Sequence, residues 1–507
     1  MMKRKGLSNE QRESLLCRTF EDGWEEWKNP LDEEDDGLHS RISFEYQGTE
    51  RPFGPGKAVQ RHGIRSRGVG EIALESASDA EDVRDSSKRH GWTLTHGFYA
   101  TMGGFAIQTE QLKLGYPPNW NACVEFLPLW LAPNMVTLLG FFCILSNVIL
   151  MLIYDPGLTG LAPSWVYYSY ALGIWSYSTM DNIDGKQARR TGTSSPLGEL
   201  FDHGIDSLNC TLASLLETSA MGLGSTRLGA LTALIPTLPM FFSTWETYHT
   251  HTLFLGYFNG PTEGLIIAAL IMILSGYYGP TLWTSPLASL FGHEQFLGKT
   301  SFLDLWGPIL LLGLCLAHIP DCVNNVYQAR RGRSQPLIPT LLEWAPIFIF
   351  TGSLCAWLGS PYSHLLKDNH LSLLCFTLSP AFGRMTTKII LAHLTRQDFP
   401  MWTVMLAPLI TGSILVNLPY IGLPGLSATT ELWFLRGYFA FATIVYARWA
   451  VYVCNSICNY LGINCLTIPE DKWLALKSGA PPNQRPEATR LASGSVRMKG
   501  GANGKFA

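Results

Sequence analysis

The charged stretch DNIDGKQARRTGTSSPLGELFDHGIDSLN (Asp181–Asn209) lies between two long apolar runs and decides how this part of the chain folds. If the preceding apolar run continues as a helix into this stretch, Asp181 and Asp184, three residues apart, share one helix face. Asp202 and Asp206, four residues apart, share a face of the next helix. Two such helices, joined by the turn TGTSSP, would bring four carboxylates towards one point.

Four converging carboxylates repel one another strongly at a membrane edge unless a cation neutralises them. One or two divalent cations held by oxygen ligands would do so, and we expect two. Aspartate oxygens without a cysteine favour Mg²⁺, or Mn²⁺, over zinc. An isolated pair of aspartates at a helix end is usually a solvated cap, but four at helical spacing, together with two glycines, indicate a site.

The residues around the aspartates indicate a ligand that contains phosphate. Gly185 and Gly198 let a ligand approach the backbone closely. Lys186, Arg189 and Arg190 can complement phosphate charge. A metal cluster with basic residues suggests a pyrophosphate substrate, in which metals and an arginine stabilise the leaving phosphate.

His203 stands beside Asp202 and three residues before Asp206, so it borders the same helix face. A side chain that titrates near neutral pH can remove a proton from an attacking hydroxyl. Ser195 and Pro196 provide an N-cap and a first residue for the second helix.

The composition indicates that the bilayer is the main solvent of this chain. Of its 507 residues, 47% are apolar and 15% are charged, against about 25% charged residues in a soluble protein. Ten apolar runs of about 20 residues each predict ten transmembrane helices in an all-α integral membrane protein. The runs begin near Asn134, Ser164, Leu197, Leu228, Gly264, Asp304, Leu337, His370, Pro400 and Leu432. Alternation of the basic loops then places the charged stretch and both termini in the cytosol.

Other partners and chemistries find little support in the composition. The net charge is −3, and we find no basic stripe with interleaved aromatic residues, so nucleic acid is not expected as a partner. The 11 cysteines show neither metal-ligand spacing nor a disulfide pattern.

Changes of composition along the chain predict four segments. Residues 1–98 are polar and are expected to be a largely disordered extension. Residues 99–133 combine an irregular segment with the short aromatic sequence NWNACVEFLPLWLAP, which predicts an amphipathic helix on the membrane surface before the first span. Residues 134–466 form the transmembrane domain, and residues 467–507 read as a flexible tail.

The spacing within residues 181–206 resembles the signature of the CDP-alcohol phosphotransferases. Eight positions with fixed gaps form this signature, which is far more specific than a lone glycine motif. They are Asp181, Asp184, Gly185, Ala188, Arg189, Gly198, Asp202 and Asp206. The surrounding DGKQARRTGTSSPLGELFDHGIDS, with PLWLAPNMVTL upstream and GPTEG downstream, looks like the eukaryotic choline/ethanolamine phosphotransferases. A compact segment that starts with an EHRY-like stretch in that family is replaced here by GFYATMGGFAIQTEQLKLGYPP.

The resemblance implies a reaction and a set of ligands. Phosphocholine or phosphoethanolamine would pass from CDP-choline or CDP-ethanolamine to diacylglycerol, the final step of the Kennedy pathway. The four aspartates would hold the magnesium ions, and Gly185, Ala188 and Arg189 would lie along the CDP group. His203 is favoured as the base, with Asp206 as the alternative, because a carboxylate committed to a metal is a weak proton acceptor.

Two further residues have alternative roles that the sequence leaves open. Asn134, at the cytosolic end of the first span, would reach the nucleotide or would serve as a helix N-cap. Glu263 would face the substrate ammonium or the metals, or would be a favourable first-turn helix charge.

Two rival functions follow from the same sequence. A CDP-diacylglycerol-dependent phosphatidyltransferase would use the same signature, but the extra spans and the GELFDHG and GPTEG stretches argue against it. A non-catalytic lipid-binding or transport protein would place its charges at the midplane of broken helices, whereas here they gather at one boundary. The favoured enzyme would reside in the endoplasmic reticulum or the Golgi, and a homodimer is compatible with it.

Overall fold

The computed structural model describes residues 123–251, 264–288 and 299–478. Within these ranges the chain is helical, and its β-structure is limited to two isolated bridges. The predicted all-α architecture is therefore confirmed for this part of the chain. The predictions for residues 1–98 and for Glu263 lie outside the described residues.

Fifteen α-helices follow one another along the described ranges. They are α1 (Pro133–Tyr154), α2 (Ser164–Thr191), α3 (Pro196–Ala220), α4 (Arg227–Leu234), α5 (Thr237–Thr250), α6 (Leu265–Tyr278), α7 (Thr281–Thr284), α8 (Phe302–Leu312), α9 (Ile319–Gly332), α10 (Ile338–Leu341), α11 (Ala345–Gly359), α12 (Leu371–Leu394), α13 (Leu406–Asn417), α14 (Ala428–Leu461) and α15 (Glu470–Lys477). A π-helical turn, Gly313–His318, joins α8 to α9, and 3₁₀ turns at Leu342–Trp344 and Leu418–Ile421 extend their neighbours.

Five helical segments of the described chain are long and apolar enough to cross a membrane. They are Pro133–Tyr154, Arg227–Thr250, Phe302–Gly332, Ile338–Gly359 and Ala428–Leu461. All ten predicted spans coincide with helical segments. However, α6 and the α13 segment are too short to count among the five, and α2, α3 and α12 are not apolar enough. The protein is an integral membrane protein, and the count of ten crossings stays a prediction.

Helices α3 and α12 form the interior of the bundle, which explains why they tolerate polar residues. Of the 25 residues of α3, 17 are buried, and 18 of the 24 residues of α12 are buried. The hydroxyl of Ser379 on α12 donates to the carbonyl of Leu208 on α3 over 2.9 Å. Polar groups that face other helices instead of lipid can be satisfied by protein, so these helices need less apolar character. By contrast, only 6 of the 34 residues of α14 are buried.

The turn between α2 and α3 places the two halves of the charged stretch side by side. Gly192 adopts the left-handed conformation, with φ of 61°, and ends α2. The Ser195 hydroxyl then accepts a hydrogen bond from the Gly198 N–H, with Pro196 as the first residue of α3. Glycine at the C-terminal cap and serine–proline at the N-terminus are the residues that these positions favour. The predicted start of α3 is confirmed.

The segment before α1 is held against α2 and only partly matches the predicted surface helix. Residues 123–125 are helical, and turns follow up to Pro133. The amide of Gln187 donates to the carbonyls of Pro128 and Leu131, each over 3.0 Å. The amphipathic helix on the membrane surface therefore stays a prediction.

The predicted tail begins with ordered structure. Thr467 pairs with Leu131 in an isolated bridge, and α15 follows. Flexibility of the tail stays a prediction, and residues 479–507 lie outside the described part of the chain.

Candidate active site

Three carboxylates from two helices meet at the end of α2 and the beginning of α3. One oxygen each from Asp181, Asp202 and Asp206 lies within 4.8 Å of the others. Asp181 and Asp202 are also within hydrogen-bonding reach of each other. The convergence that helical spacing predicts is thus present for three of the four aspartates.

Two oxygens of this group have no protein partner. Asp181 Oδ1 and Asp202 Oδ1 are buried, and neither has a hydrogen-bond partner among the described residues. A buried carboxylate oxygen without a donor costs free energy, more so beside another carboxylate. The group is therefore suited to a bound cation, and oxygen-only ligands suit a hard divalent ion.

The fourth aspartate, Asp184, is engaged separately. It is buried, with 8% of its surface exposed, and the Thr137 hydroxyl of α1 donates to its Oδ2. The backbone N–H of Gly185 also interacts with its carboxylate. Asp184 thus borders the three-carboxylate group with one oxygen already satisfied by protein.

Asp206 is fixed in place by Tyr177. The phenol of Tyr177 on α2 donates to Asp206 Oδ1. Tyr177 itself is buried, with 3% of its surface exposed. This bond holds the Asp206 carboxylate in place through one of its two oxygens.

His203 lies on the same turns of α3 and is half-buried. Its charge interacts with Asp206 and with His393 on α12. His393 Nε2 lies 4.0 Å from Glu199 Oε1, one turn before His203 on α3. The imidazole therefore borders the carboxylates and belongs to a polar patch between α3 and α12.

The signature glycines leave open space beside candidate ligand-binding residues. A Cβ on Gly185 would come no nearer to the surrounding protein than 3.8 Å from Arg189 Nη1. A Cβ on Gly198 would come no nearer than 3.8 Å from Asn134 Oδ1. Both distances are ordinary contacts, so packing within the protein does not require glycine here.

The basic residues of α2 divide into two groups. Lys186 is half-buried and Arg189 is exposed, with Ala188 half-buried between them. Arg190, by contrast, donates to the carbonyls of Val124 and Leu127, each over 2.7 Å. Arg190 therefore has a structural role in place of the predicted contact with phosphate, because its guanidinium holds the segment before α1.

Asn134 links the site to the C-terminal part of the chain. Its side-chain amide donates to the Cys465 carbonyl over 3.0 Å and lies 3.8 Å from Cys465 Sγ. The N-cap of α1 is Ala132, so the alternative of Asn134 as the cap is wrong.

Sequence reasoning missed the residues that orient the aspartates. Tyr177 lies four residues before Asp181, so its place on the same helix face was a usable signal. Thr137 lies 47 residues before Asp184, and no local pattern indicates that contact. Gln187 was likewise missed, since its partners precede α1.

Comparison with known proteins agrees with this geometry. The family model for CDP-alcohol phosphatidyltransferase matches residues 130–291, which contain the whole α2–α3 site. A choline/ethanolaminephosphotransferase of Arabidopsis thaliana is 35% identical over 372 residues, covering 69% of this chain and 91% of the relative.

Two yeast proteins are similar as well. A cholinephosphotransferase of Saccharomyces cerevisiae is 36% identical over 291 residues, covering 56% of this chain and 73% of the relative. A choline/ethanolaminephosphotransferase of the same yeast is 35% identical over 310 residues, covering 58% and 75%. With its signature placed in a half-buried three-carboxylate site, the chain belongs to the CDP-alcohol phosphatidyltransferase family.

Proposed function

We propose that this protein transfers phosphocholine or phosphoethanolamine from its CDP ester to the primary hydroxyl of diacylglycerol. The products are phosphatidylcholine or phosphatidylethanolamine and CMP. The observation that carries the proposal is the meeting of Asp181, Asp202 and Asp206 with two buried oxygens that lack a donor among the described residues. The names of the Arabidopsis and yeast relatives support the choice of donor.

The three grouped carboxylates and the nearby Asp184 are the proposed ligands of two Mg²⁺ ions, or Mn²⁺. Their donor set fits, because all four offer hard oxygens. A bound cation would neutralise the negative charge that develops on the pyrophosphate as CMP leaves. Tyr177 and Thr137 keep one oxygen each of Asp206 and Asp184 fixed, which orients the remaining oxygens.

The nucleotide end of the substrate is proposed to lie against Gly185, Ala188, Arg189 and Gly198. Open space at the two glycines supports this placement, since nothing in the protein fills it closely. Arg189 and Lys186 supply positive charge for the phosphates. Asn134, beside Gly198, offers an amide to the nucleotide. Glu263, outside the described residues, keeps its two alternative roles as predictions.

His203 is the proposed general base, and Asp206 is the alternative. A ring nitrogen of His203 takes the proton of the diacylglycerol hydroxyl as its oxygen attacks the phosphorus next to choline or ethanolamine. The bond between that phosphorus and the bridging oxygen to CMP breaks, and the bonding electrons leave with CMP. Asp206 is less suited to this task, because one of its oxygens accepts from Tyr177 and its carboxylate lies beside those of Asp181 and Asp202 as a proposed metal ligand.

The location of the site suits one water-soluble and one lipid substrate. A charged pyrophosphate does not enter hydrocarbon, and diacylglycerol does not leave it, so the chemistry belongs at the membrane boundary. We propose that the site and both termini face the cytosol, in the endoplasmic reticulum or the Golgi. The alternation of basic loops supports this orientation. A homodimer stays a prediction.

The identity of the donor is tested with the full chain in microsomes from a host that lacks such activity. CMP release is followed with CDP-choline, CDP-ethanolamine or CDP-diacylglycerol, with and without diacylglycerol and Mg²⁺. We expect Mg²⁺-dependent release that requires diacylglycerol and one of the first two donors. If CDP-diacylglycerol is the one donor that is turned over, the protein is a CDP-diacylglycerol-dependent phosphatidyltransferase. If substrate binds without CMP release, it is a non-catalytic lipid-binding protein.

The identity of the base is tested by comparing His203→Ala with Asp206→Asn. Loss of a positioned base lowers turnover by about a hundredfold or more. We expect this loss in His203→Ala with an unchanged Mg²⁺ requirement, whereas Asp206→Asn shifts the Mg²⁺ concentration for half-maximal rate. Near-normal turnover of His203→Ala would mean that Asp206 is the general base instead.

A further inference from the structure

Three cysteines gather where α14 ends, next to the proposed active site. Cys454 and Cys458 lie one turn apart on α14, and Cys465 follows the helix. Gly462, with φ of 63°, ends α14 and turns the chain back, so that the Ile463 N–H donates to the Cys458 carbonyl over 3.1 Å. The thiol of Cys465 consequently interacts with the other two thiols, and all three side chains pack against one apolar cluster.

The three thiols are free and partly exposed. None of them forms a disulfide in the structure, and each has an intermediate exposure. A small solvent-borne reagent can therefore reach the cluster. This is the arrangement in which one thiol can be attacked and a second can resolve the product.

The thiol of Cys465 is the reactive member of the group. The hydrogen bond from Cys454, the largest influence, lowers the pKa of Cys465 below its ordinary value. Near neutral pH a larger fraction of this cysteine than of an ordinary one is then thiolate, the nucleophilic form.

Cys465 is also joined directly to the proposed nucleotide site. Its carbonyl accepts from the Asn134 amide, and its Sγ lies 3.8 Å from the same nitrogen. Two residues later, Thr467 forms the bridge with Leu131 that ties this segment to the chain before α1. Asn134 in turn is the nearest side chain to the space at Gly198. A displacement of Cys465 would therefore be transmitted to Asn134.

We propose that Cys465 is a thiol-modification site that reacts with small disulfides and resolves onto Cys454, and that the resulting bond lowers turnover by displacing Asn134. The Cys465 thiolate attacks one sulfur of a low-molecular-weight disulfide such as oxidised glutathione, forms a mixed disulfide and releases one thiol. The Cys454 sulfur then attacks Cys465 Sγ and expels the second thiol, which takes up the Cys454 proton. Two protein thiols are oxidised and one small disulfide is reduced.

The effect on turnover rests on the proposed function, but the modification itself does not. The test therefore has two separate readouts on the full chain in microsomes. Oxidised glutathione is added, the remaining thiols are alkylated, and the modified peptides are mapped by mass spectrometry. CMP release is measured in parallel.

We expect a linked Cys454–Cys465 peptide and a severalfold loss of turnover, both reversed by dithiothreitol. Cys465→Ser, which keeps the carbonyl used by Asn134, should turn over and resist the oxidant. The double variant Cys454→Ser/Cys458→Ser, which removes both neighbouring thiols, should stop at glutathione bound to Cys465. Cys123→Ser, a matched control of similar exposure outside the cluster, should respond like the parent protein.

The proposal has clear contrary outcomes. Oxidation of Cys465 no faster than that of Cys123 would overturn it, and a linked peptide with unchanged turnover would overturn the coupling to the site. Absence of turnover before oxidation would count against the proposed function alone, because the peptide map remains readable. Independently of any variant, the alkylation rate of Cys465 should reach half its maximum clearly below the pH of about 8.5 that is ordinary for a thiol. A midpoint near 8.5 would also overturn the proposal.

Discussion

Two pairs of carboxylates in the described part of this protein differ in how hydrogen-bond donors satisfy them. Glu431, near the start of α14, is fully buried, and both of its carboxylate oxygens accept hydrogen bonds. Its Oε1 accepts from Trp357 Nε1 and Ser363 Oγ, each over 2.8 Å, and its Oε2 accepts from the His364 N–H over 2.8 Å. Asp181 and Asp202 each keep one buried oxygen without a partner among the described residues.

Asp155, at the end of α1, behaves like Glu431. Its Oδ1 accepts from the N–H and hydroxyl of Thr159, and its Oδ2 accepts from the Gly160 N–H and the Ser219 hydroxyl. A carboxylate that holds the structure together is satisfied by the protein itself. The partnerless oxygens of Asp181 and Asp202, which lie beside a third carboxylate, are by contrast available to a bound cation.

The largest expected effect is that of Asp202→Asn on activity. A metal ligand contributes several kcal/mol to the transition state, so the loss of one ligand should lower turnover by at least about a thousandfold. The new amide can donate to Asp181, so the free energy of unfolding should stay level or rise by up to about 1 kcal/mol. CMP release and thermal denaturation of the solubilised protein measure the two effects.

A clear loss of stability in Asp202→Asn would contradict the distinction between the aspartates of the site and the structural carboxylate Glu431. It would mean that the aspartate group stabilises the fold in the way that Glu431 does. Asp181→Asn provides a matched variant on the other helix, and it should show the same opposition between lost activity and retained stability.

Glu431→Ala should produce the reverse pattern. It leaves the Trp357 N–H and the His364 N–H without their acceptor, and unsatisfied buried donors cost about 1 to 3 kcal/mol each. We expect the free energy of unfolding to fall by about 3 kcal/mol, while turnover per folded molecule stays near normal. Denaturation curves and CMP release normalised to folded protein test both parts, and unchanged stability would refute the structural role.

Tyr177→Phe should give the smallest effect of the three. It removes the phenol that orients Asp206 but keeps the ring in its buried position. Loss of a group that orients a metal ligand lowers activity or metal affinity by about tenfold to a hundredfold, and we expect the lower end. A rise in the Mg²⁺ concentration for half-maximal rate would accompany this loss, and a loss without that rise would argue against the positioning role.

The local features of the site could be predicted because they depend on short spacings. Helical periodicity aligned Asp202 with Asp206, and the Ser195–Pro196 pair indicated the start of α3. Side chains within one turn are neighbours in any α-helix, so these relations hold whatever surrounds them. Periodicity cannot reveal that Thr137 of another helix contacts Asp184, and the role of Asp184 as a metal ligand stays a prediction.

The sequence by itself determined the all-helical class, the two carboxylate-bearing helices, the turn between them and the resemblance to a family. Only the tertiary structure decided which oxygens are satisfied, that Arg190 holds the segment before α1, and that Asn134 meets Cys465. These contacts join residues that lie 29 to 331 positions apart. Packing of whole helices sets such contacts, since periodicity fixes which face a side chain occupies but not what that face meets.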